Sequence, residues 1–245
     1  MSRYVVQASW DDVPHLTEEA KKELWESLPP HQREARKKGI PCLGAGAIYP
    51  VPEEDIVISP IKLPGYWPKA YALDVGWKCT AAIWGAWDRD NDIIYAYSEH
   101  YRGQCEPAVH ASAIQARGKW IKGAIDPAAR GRNQKDGERL MDIYEGLGLN
   151  LIKANNAVEA GIQEVYQRLS TGRLKIFSTL THLISEYRIY HRNEKGRIVK
   201  QNDHALDALR YLVMSLVEIA SLPTQERTQE RPIIQNIIAD KTIGY

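Results

Sequence analysis

The stretch Ala70-Tyr71-Ala72-Leu73-Asp74-Val75-Gly76 decides the fold, together with two runs that follow it, Thr80-Ala81-Ala82-Ile83-Trp84-Gly85-Ala86-Trp87 and Asp92-Ile93-Ile94-Tyr95-Ala96-Tyr97-Ser98. Each is a short run of strand character bounded by turn residues. The polar turn Asp88-Arg89-Asp90-Asn91 joins the last two, so an antiparallel meander is expected. Its first strand ends on an aspartate, Asp74.

Downstream the pattern becomes alternating. Residues 106–117 are expected as a helix, with Pro107 suited to its first turn. Residues 120–126 read as a strand that again finishes on an aspartate, Asp126. A helix over 134–148 closes on glycines, and a short strand follows over 149–154. Val158, Ile162, Val165 and Leu169 recur at helical spacing and predict a helix over 157–170. A strand over 173–177, a helix over 181–190 and a hairpin turning at 193–196 come next. The final helix starts at Asn202 or Asp203, with Leu206, Leu209, Val213 and Leu216 as its buried stripe and Asp203, Asp207 and Arg210 on a separate face. The class is therefore α/β: a mixed central sheet of about five strands, the first three antiparallel, with helices on both faces.

Residues 1–65 read differently. Thr17 is an N-cap candidate ahead of Glu18 and Glu19, which predicts a helix over 17–25. Pro29 and Pro30 end it, a basic stretch occupies 33–38, and Pro50, Pro52, Pro60, Pro64 and Pro68 punctuate an extended connector. From Leu222 onward the chain is a polar tail. The expected organisation is a linker-like segment over 1–65, a globular domain over 66–221 and a tail over 222–245.

Composition narrows the function classes. With 32 Lys and Arg against 31 Asp and Glu in 245 residues, the net charge is +1. Any nucleic-acid surface must therefore be local. No apolar run approaches the roughly 18–20 residues of a membrane span, and the first residues lack the apolar core of a secretory signal. A soluble, non-secreted chain is expected. Cys42, Cys79 and Cys105 form no Cys-x-x-Cys pair, which argues against a zinc site or a disulfide framework. The tryptophans and tyrosines of the second and third strands are assigned to packing.

The chemistry follows from the aspartates. Ligands of open α/β sheets gather beyond the strand ends, and a helix crossing that edge can add a third carboxylate. Asp74, Asp126 and an aspartate in the first turns of the last helix, Asp203 or Asp207, would then form a hard, anionic, all-oxygen site suited to Mg²⁺ or Mn²⁺. Two such ions about 3.5–4 Å apart activate water and stabilise the leaving oxygen of a phosphodiester. Arg130, Arg132 and Lys135 follow Asp126, and Arg188, Arg192, Lys195, Arg197 and Lys200 form a second basic run. As two clusters flanking one site they read as DNA phosphate contacts. Nothing resembles a recognition helix, so cutting is expected to ignore sequence.

Three motifs carry a resemblance: Tyr71-Ala72-Leu73-Asp74-Val75-Gly76, Ala124-Ile125-Asp126-Pro127-Ala128-Ala129-Arg130-Gly131, and Asp203-His204-Ala205-Leu206-Asp207-Ala208-Leu209-Arg210-Tyr211. Together they resemble the nuclease domain of phage large terminase subunits, over about residues 69–218. These are DNA-packaging motors with an N-terminal ATPase and a C-terminal nuclease of RNase H-like fold. The resemblance implies that Asp74, Asp126 and Asp207 are catalytic metal ligands, with His204 near the metals and Asp203 at a frequently acidic position of varying role. It also implies cleavage of concatemeric double-stranded DNA at the start and end of packaging. The implied partners are a small subunit, the portal and an ATPase domain of the same full-length chain, and the implied setting is the host cytoplasm. Residues 1–60 resemble the end of the motor domain, through Ala8-Ser9-Trp10-Asp11-Asp12-Val13-Pro14-His15-Leu16 and the region 33–39 before the linker, so 1–65 is expected as the end of that domain and the linker. No Gly-x-x-x-x-Gly-Lys-Ser/Thr loop is present, so ATP hydrolysis by this chain is not expected.

Plainer readings stand beside these. Asp203 could serve only the helix N-terminus electrostatically, worth about 0.3–1 kcal/mol. Asp207 could simply pair with Arg210. A Holliday-junction-resolvase-like nuclease and a non-catalytic docking module of the packaging machine are the alternative functions. Cleavage of a four-way junction against linear DNA separates the first, and metal-dependent plasmid cleavage the second.

Overall fold

The computed structural model describes residues 9–27, 37, 46–127, 140–193 and 196–223. Its strands are β1 (Val57–Ile58), β2 (Lys69–Asp74), β3 (Thr80–Asp88), β4 (Ile93–Arg102), β5 (Lys122–Ile125), β6 (Leu151–Lys153) and β7 (Leu174–Phe177). They form one sheet in the order β1-β7-β4-β3-β2-β5-β6. The β2–β3–β4 meander is antiparallel as expected, and the outer pairs β2–β5, β5–β6, β4–β7 and β1–β7 are parallel.

The helices are α1 (Glu18–Ser27), the single turn α2 (Glu53–Ile56), α3 (Pro107–Gln115), α4 (Leu140–Gly146), α5 (Val158–Ser170), α6 (Thr181–Ile189) and α7 (His204–Ile219). Thr17 caps α1 as expected: its Oγ1 accepts the Ala20 N–H at 3.2 Å. No helix among the described residues is long and apolar enough to cross a membrane.

Side-chain alternation along the strands makes two unlike faces. One presents Tyr71, Leu73, Trp84 and Ile125 to α3 and α4. The other presents Ala70, Ala72, Ala81 and Ala124, and α5, α6 and α7 cover it. Small residues there let α7 lie very close. A Cβ at Gly85 would stand 2.9 Å from Leu212 Cδ2, and one at Gly161 of α5 would stand 2.7 Å from Arg210 Cγ. The expected stripe Leu206, Leu209, Val213 and Leu216 is buried, but so are Asp207 and Arg210. The polar face of this helix is therefore interior and not solvated. Each fully buried leucine contributes about 1.5–3 kcal/mol.

Two expectations need correction. Residues 46–58 are not an extended connector beside the sheet. Ile48, Tyr49 and Ile56 are core residues, β1 adds an edge strand that widens the sheet beyond expectation, and Tyr187 Oη donates to the Val51 carbonyl at 2.7 Å. Ile48 and Tyr49 form one adjacent pair and Ile56 stands seven residues on, with Pro50 and Pro52 between, so no period reveals them. β4 also runs to Arg102 rather than ending at Ser98. Its polar end is matched residue by residue: Glu99 holds His182, His100 meets His110 and Tyr101 donates to Glu186.

Glu186 anchors α7. Its Oε2 accepts the Ala205 and Leu206 N–H groups at 2.7 and 3.1 Å, while Oε1 accepts from Tyr101 Oη at 2.9 Å. A carboxylate on a helix N-terminus satisfies orphan donors and opposes the helix dipole. Glu186→Ala should destabilise the chain by about 1–3 kcal/mol, the cost of buried donors left unpaired, and Glu186→Gln by less. Urea denaturation midpoints measure this, and an alanine variant as stable as the parent would remove Glu186 as the anchor.

Candidate active site

The sheet edge at which β2 and β5 end gathers the carboxylates. Asp74 is the last residue of β2, and the Asp126 N–H donates to the Leu73 carbonyl at 2.9 Å, which stitches the two strand ends side by side. Helix α7 crosses above them. Its residues 204, 207 and 211 fall at i, i+3 and i+7 and share one face. His204 Nδ1 lies 2.8 Å from Asp74 Oδ2, and Tyr211 Oη donates to Asp126 Oδ1 at 3.1 Å. Asp207 sits between them in the helix. Its Oδ1 accepts from Arg210 Nη2 at 2.8 Å, and its Oδ2 stands 3.7 Å from Lys200 Nζ.

The electrostatics are those of a crowded anionic site. Burial pushes the Asp74 carboxyl above its usual range and the charges of Asp207 and Asp126 add to this, while the His204 hydrogen bond pulls it back. That bond in turn holds His204 above the ordinary imidazole value against burial, helped by the charges of Glu186 and Asp203. Asp203 is raised by burial and then by Asp207. It does not cap α7 with its side chain; Glu186 does, and Asp203 Oδ2 is buried without a hydrogen-bond partner. The Asp207–Arg210 pair is present, with Arg210 only 1% exposed.

Among the described residues, no three Asp, Glu, His or Cys side chains are gathered closely enough to enclose an ion as they stand. Asp207 is drawn toward Arg210 and Lys200, and Asp126 is held by Tyr211.

The basic residues divide. Arg188 is held by Glu53 through bonds of 2.6 and 2.7 Å, and Arg192 pairs with Glu159. Arg197 is exposed in the expected turn, where its N–H donates to Asn193 Oδ1 at 3.0 Å. Lys200 is the described member of the run that reaches a site carboxylate. Arg130, Arg132, Lys135 and Lys195 lie outside the described residues.

Sequence reasoning missed Tyr211 and Glu186. Tyr211 was signalled by its position seven residues after His204, on the same helical face. Glu186 carried no local signal, because it is joined to the site only by tertiary packing.

Comparison with known proteins agrees with this geometry. The family model of the terminase RNaseH-like domain matches residues 72–216. The large terminase subunits of Salmonella phage P22 and Enterobacteria phage LP7 are each 35% identical over 221 residues, 86% of this chain and 44% and 46% of theirs. The chain thus spans about half the length of the curated relatives it matches. The P22 large terminase nuclease domain superposes with a TM-score of 0.67 at 32% identity, covering 73% of this chain and 96% of that one. A large terminase from a thermophilic bacteriophage shares the fold, with a TM-score of 0.60 at 22% identity over 85% of this chain and 55% of its own. Matched across more than half its length by the family model and at 35% identity to curated relatives, the chain belongs to the terminase RNaseH-like domain family of phage large terminase subunits.

Proposed function

We propose that this chain is a divalent-metal-dependent DNA endonuclease, the nuclease part of a large terminase subunit that cuts concatemeric double-stranded DNA when packaging starts and ends. One observation carries the reading: the ends of β2 and β5 lie side by side, and α7, which carries Asp207, bonds Asp74 through His204 and Asp126 through Tyr211. Membership of the family supports it.

The residues fit a hard cation. The donors are carboxylate oxygens, their charges are under-neutralised, and the buried Asp203 Oδ2 lacks a partner. Asp74, Asp126 and Asp207 would hold one or two Mg²⁺ or Mn²⁺ ions, with Asp203 and His204 beside them. Such ions supply Lewis-acid stabilisation of phosphodiester oxygens and a more acidic water.

The chain's own groups do the rest. Tyr211 fixes the direction of Asp126, and Arg210 fixes that of Asp207. The His204 ring, oriented by Asp74 through Nδ1, keeps Nε2 as a proton donor or acceptor. Lys200 offers a cation to a phosphate beside Asp207. The proposed setting is the cytoplasm of an infected host, with an ATPase domain of the same full-length protein, a small subunit and the portal as partners. ATP turnover belongs to that other domain on this reading, since the chain carries no phosphate-binding loop.

Asp74→Ala, Asp126→Ala and Asp207→Ala should each lower plasmid cleavage by at least about 100-fold, the scale on which essential electrostatic groups act, with the circular dichroism spectrum unchanged. Normal cleavage by two of the three would remove the site assignment.

Cleavage should need Mg²⁺ or Mn²⁺ and stop in excess chelator. Independently of activity, Mn²⁺ should raise the thermal midpoint of the parent by binding the folded state alone, and raise that of Asp126→Ala less. Equal shifts in the two proteins would contradict metal binding at this edge.

Asp203 yields a pH prediction. Its folded value is raised, so the stability linked to its neutral form is present below the ordinary carboxylate value, about 3.9, and is lost as pH rises through the folded value. In chelator, Asp203→Asn should therefore raise the urea midpoint at neutral pH, and the gain should shrink as pH falls toward that value. A pH-independent difference would rule out burial of charge at Asp203.

A further inference from the structure

The turn between β2 and β3 carries a side chain the fold does not use. Trp77 is 66% exposed, three residues beyond Asp74. Single exposed apolar residues are ordinary on protein surfaces, but three features set this one apart.

First, the turn is fixed rather than loose. The Gln104 N–H donates to the Trp77 carbonyl at 2.8 Å, and Gln104 holds a left-handed φ of 54° to do so, a conformation sterically disfavoured for a residue with a Cβ. A Cβ at Gly103 would run into the Lys78 carbonyl oxygen, so the two turns pack backbone against backbone. Thr80 Oγ1 donates to the Gly76 carbonyl at 3.2 Å and closes the other side. The indole is thus presented to water from a rigid base.

Second, the location is the carboxylate edge. β5 runs parallel to β2, so Asp126 follows a strand ending beside Asp74, and the Trp77 turn extends from that same end. Third, two basic residues stand along this turn. Lys78 adjoins Trp77, and Arg102 pairs with Thr80 in the β3–β4 ladder. Both are exposed, and neither joins an ion pair among the described residues.

We propose that Trp77 is a nucleobase contact, its indole stacking on a base of the strand that crosses the carboxylates, while Lys78 and Arg102 take the neighbouring phosphates. The inference rests on the DNA-cleavage reading and names how that substrate is held. Aromatic stacking accepts any base, because every base has a π-face. It therefore adds affinity without sequence preference, as an enzyme lacking a recognition helix requires. In intact duplex both faces of each base are covered by neighbours, so the contact favours a strand that is single or locally unstacked.

The test is binding of a fluorescently labelled single strand and of the matching duplex to the full chain, followed by anisotropy over a salt series with Ca²⁺ in place of Mg²⁺, because Ca²⁺ accepts carboxylate oxygens without the strict geometry that turnover needs. Trp77→Ala should weaken single-strand binding at least about five-fold, the lower end for one lost base–aromatic stack, and weaken duplex binding less. Its salt slope should equal the parent's, since stacking releases no counterions. Trp77→Phe should recover most of the loss. Lys78→Ala and Arg102→Ala should each flatten the single-strand slope by about 0.7. Trp77→Ala binding both DNAs as the parent does would overturn the proposal. If the parent still cleaves plasmid in that case, the nuclease reading stands and only this inference falls; a parent that binds no DNA overturns both.

Discussion

Alanines at 70, 72, 81 and 124 and glycine at 85 leave one face of the sheet nearly flat, and α7 settles onto it at a separation that larger side chains would forbid. Protein interiors are packed as densely as organic crystals, so such a contact tolerates little displacement. The consequence is positional. His204, Asp207 and Tyr211 reach over the ends of β2 and β5 because the helix that carries them cannot rise from the sheet. Glu186 fixes the remaining freedom by holding the first turn, and Gly161 lets the stem of Arg210 pass against α5.

This packing brings together charges that would otherwise separate. Removing a carboxylate from water is costly unless it is paired and hydrogen-bonded. The site meets that condition only in part. Asp74 has His204 and Asp207 has Arg210, but Asp203 Oδ2 has no partner, and burial together with the charge of Asp207 raises both Asp74 and Asp203. Arg210, almost wholly buried, leaves its Nη1 without a partner as well. Burial of well over a dozen apolar side chains around α7 and the sheet holds this unfavourable cluster in place. Incomplete compensation of that kind is common where a fold stores the means of binding something else.

Much of this was legible in the chain. The meander, the alternating strands and helices, the aspartates at two strand ends and the third within the closing helix all follow from period and turn chemistry, which are local signals. What escaped was non-local. Ile48, Tyr49 and Ile56 are one adjacent pair and one single residue with Pro50 and Pro52 between them, so a search for periodicity passes over them. The polar end of β4 reads as loop because its partners, His182, His110 and Glu186, lie far along the chain. Arg188 and Arg192 read as free cations because Glu53 and Glu159 meet them only after folding. Trp77 reads as one more aromatic until the closure of two turns leaves it in water. Charge runs in a sequence count residues, whereas folding pairs some of those cations with carboxylates.

That distinction shapes how a polyanion could approach. An edge carrying Asp74, Asp126, Asp203 and Asp207 repels phosphates, and the net charge of +1 supplies no long-range attraction to offset it. Under physiological salt, charges act over about 8 Å, so only cations on the rim count. Lys200 stands beside Asp207, while Lys78 and Arg102 stand beside the turn that follows Asp74. On the proposed reading, divalent ions at the carboxylates would invert the sign of the centre and turn a repulsive edge into an attractive one. Metal and DNA would then favour each other's binding by the same factor, as linkage requires. A nuclease built this way would be restrained by its own charge until both are present.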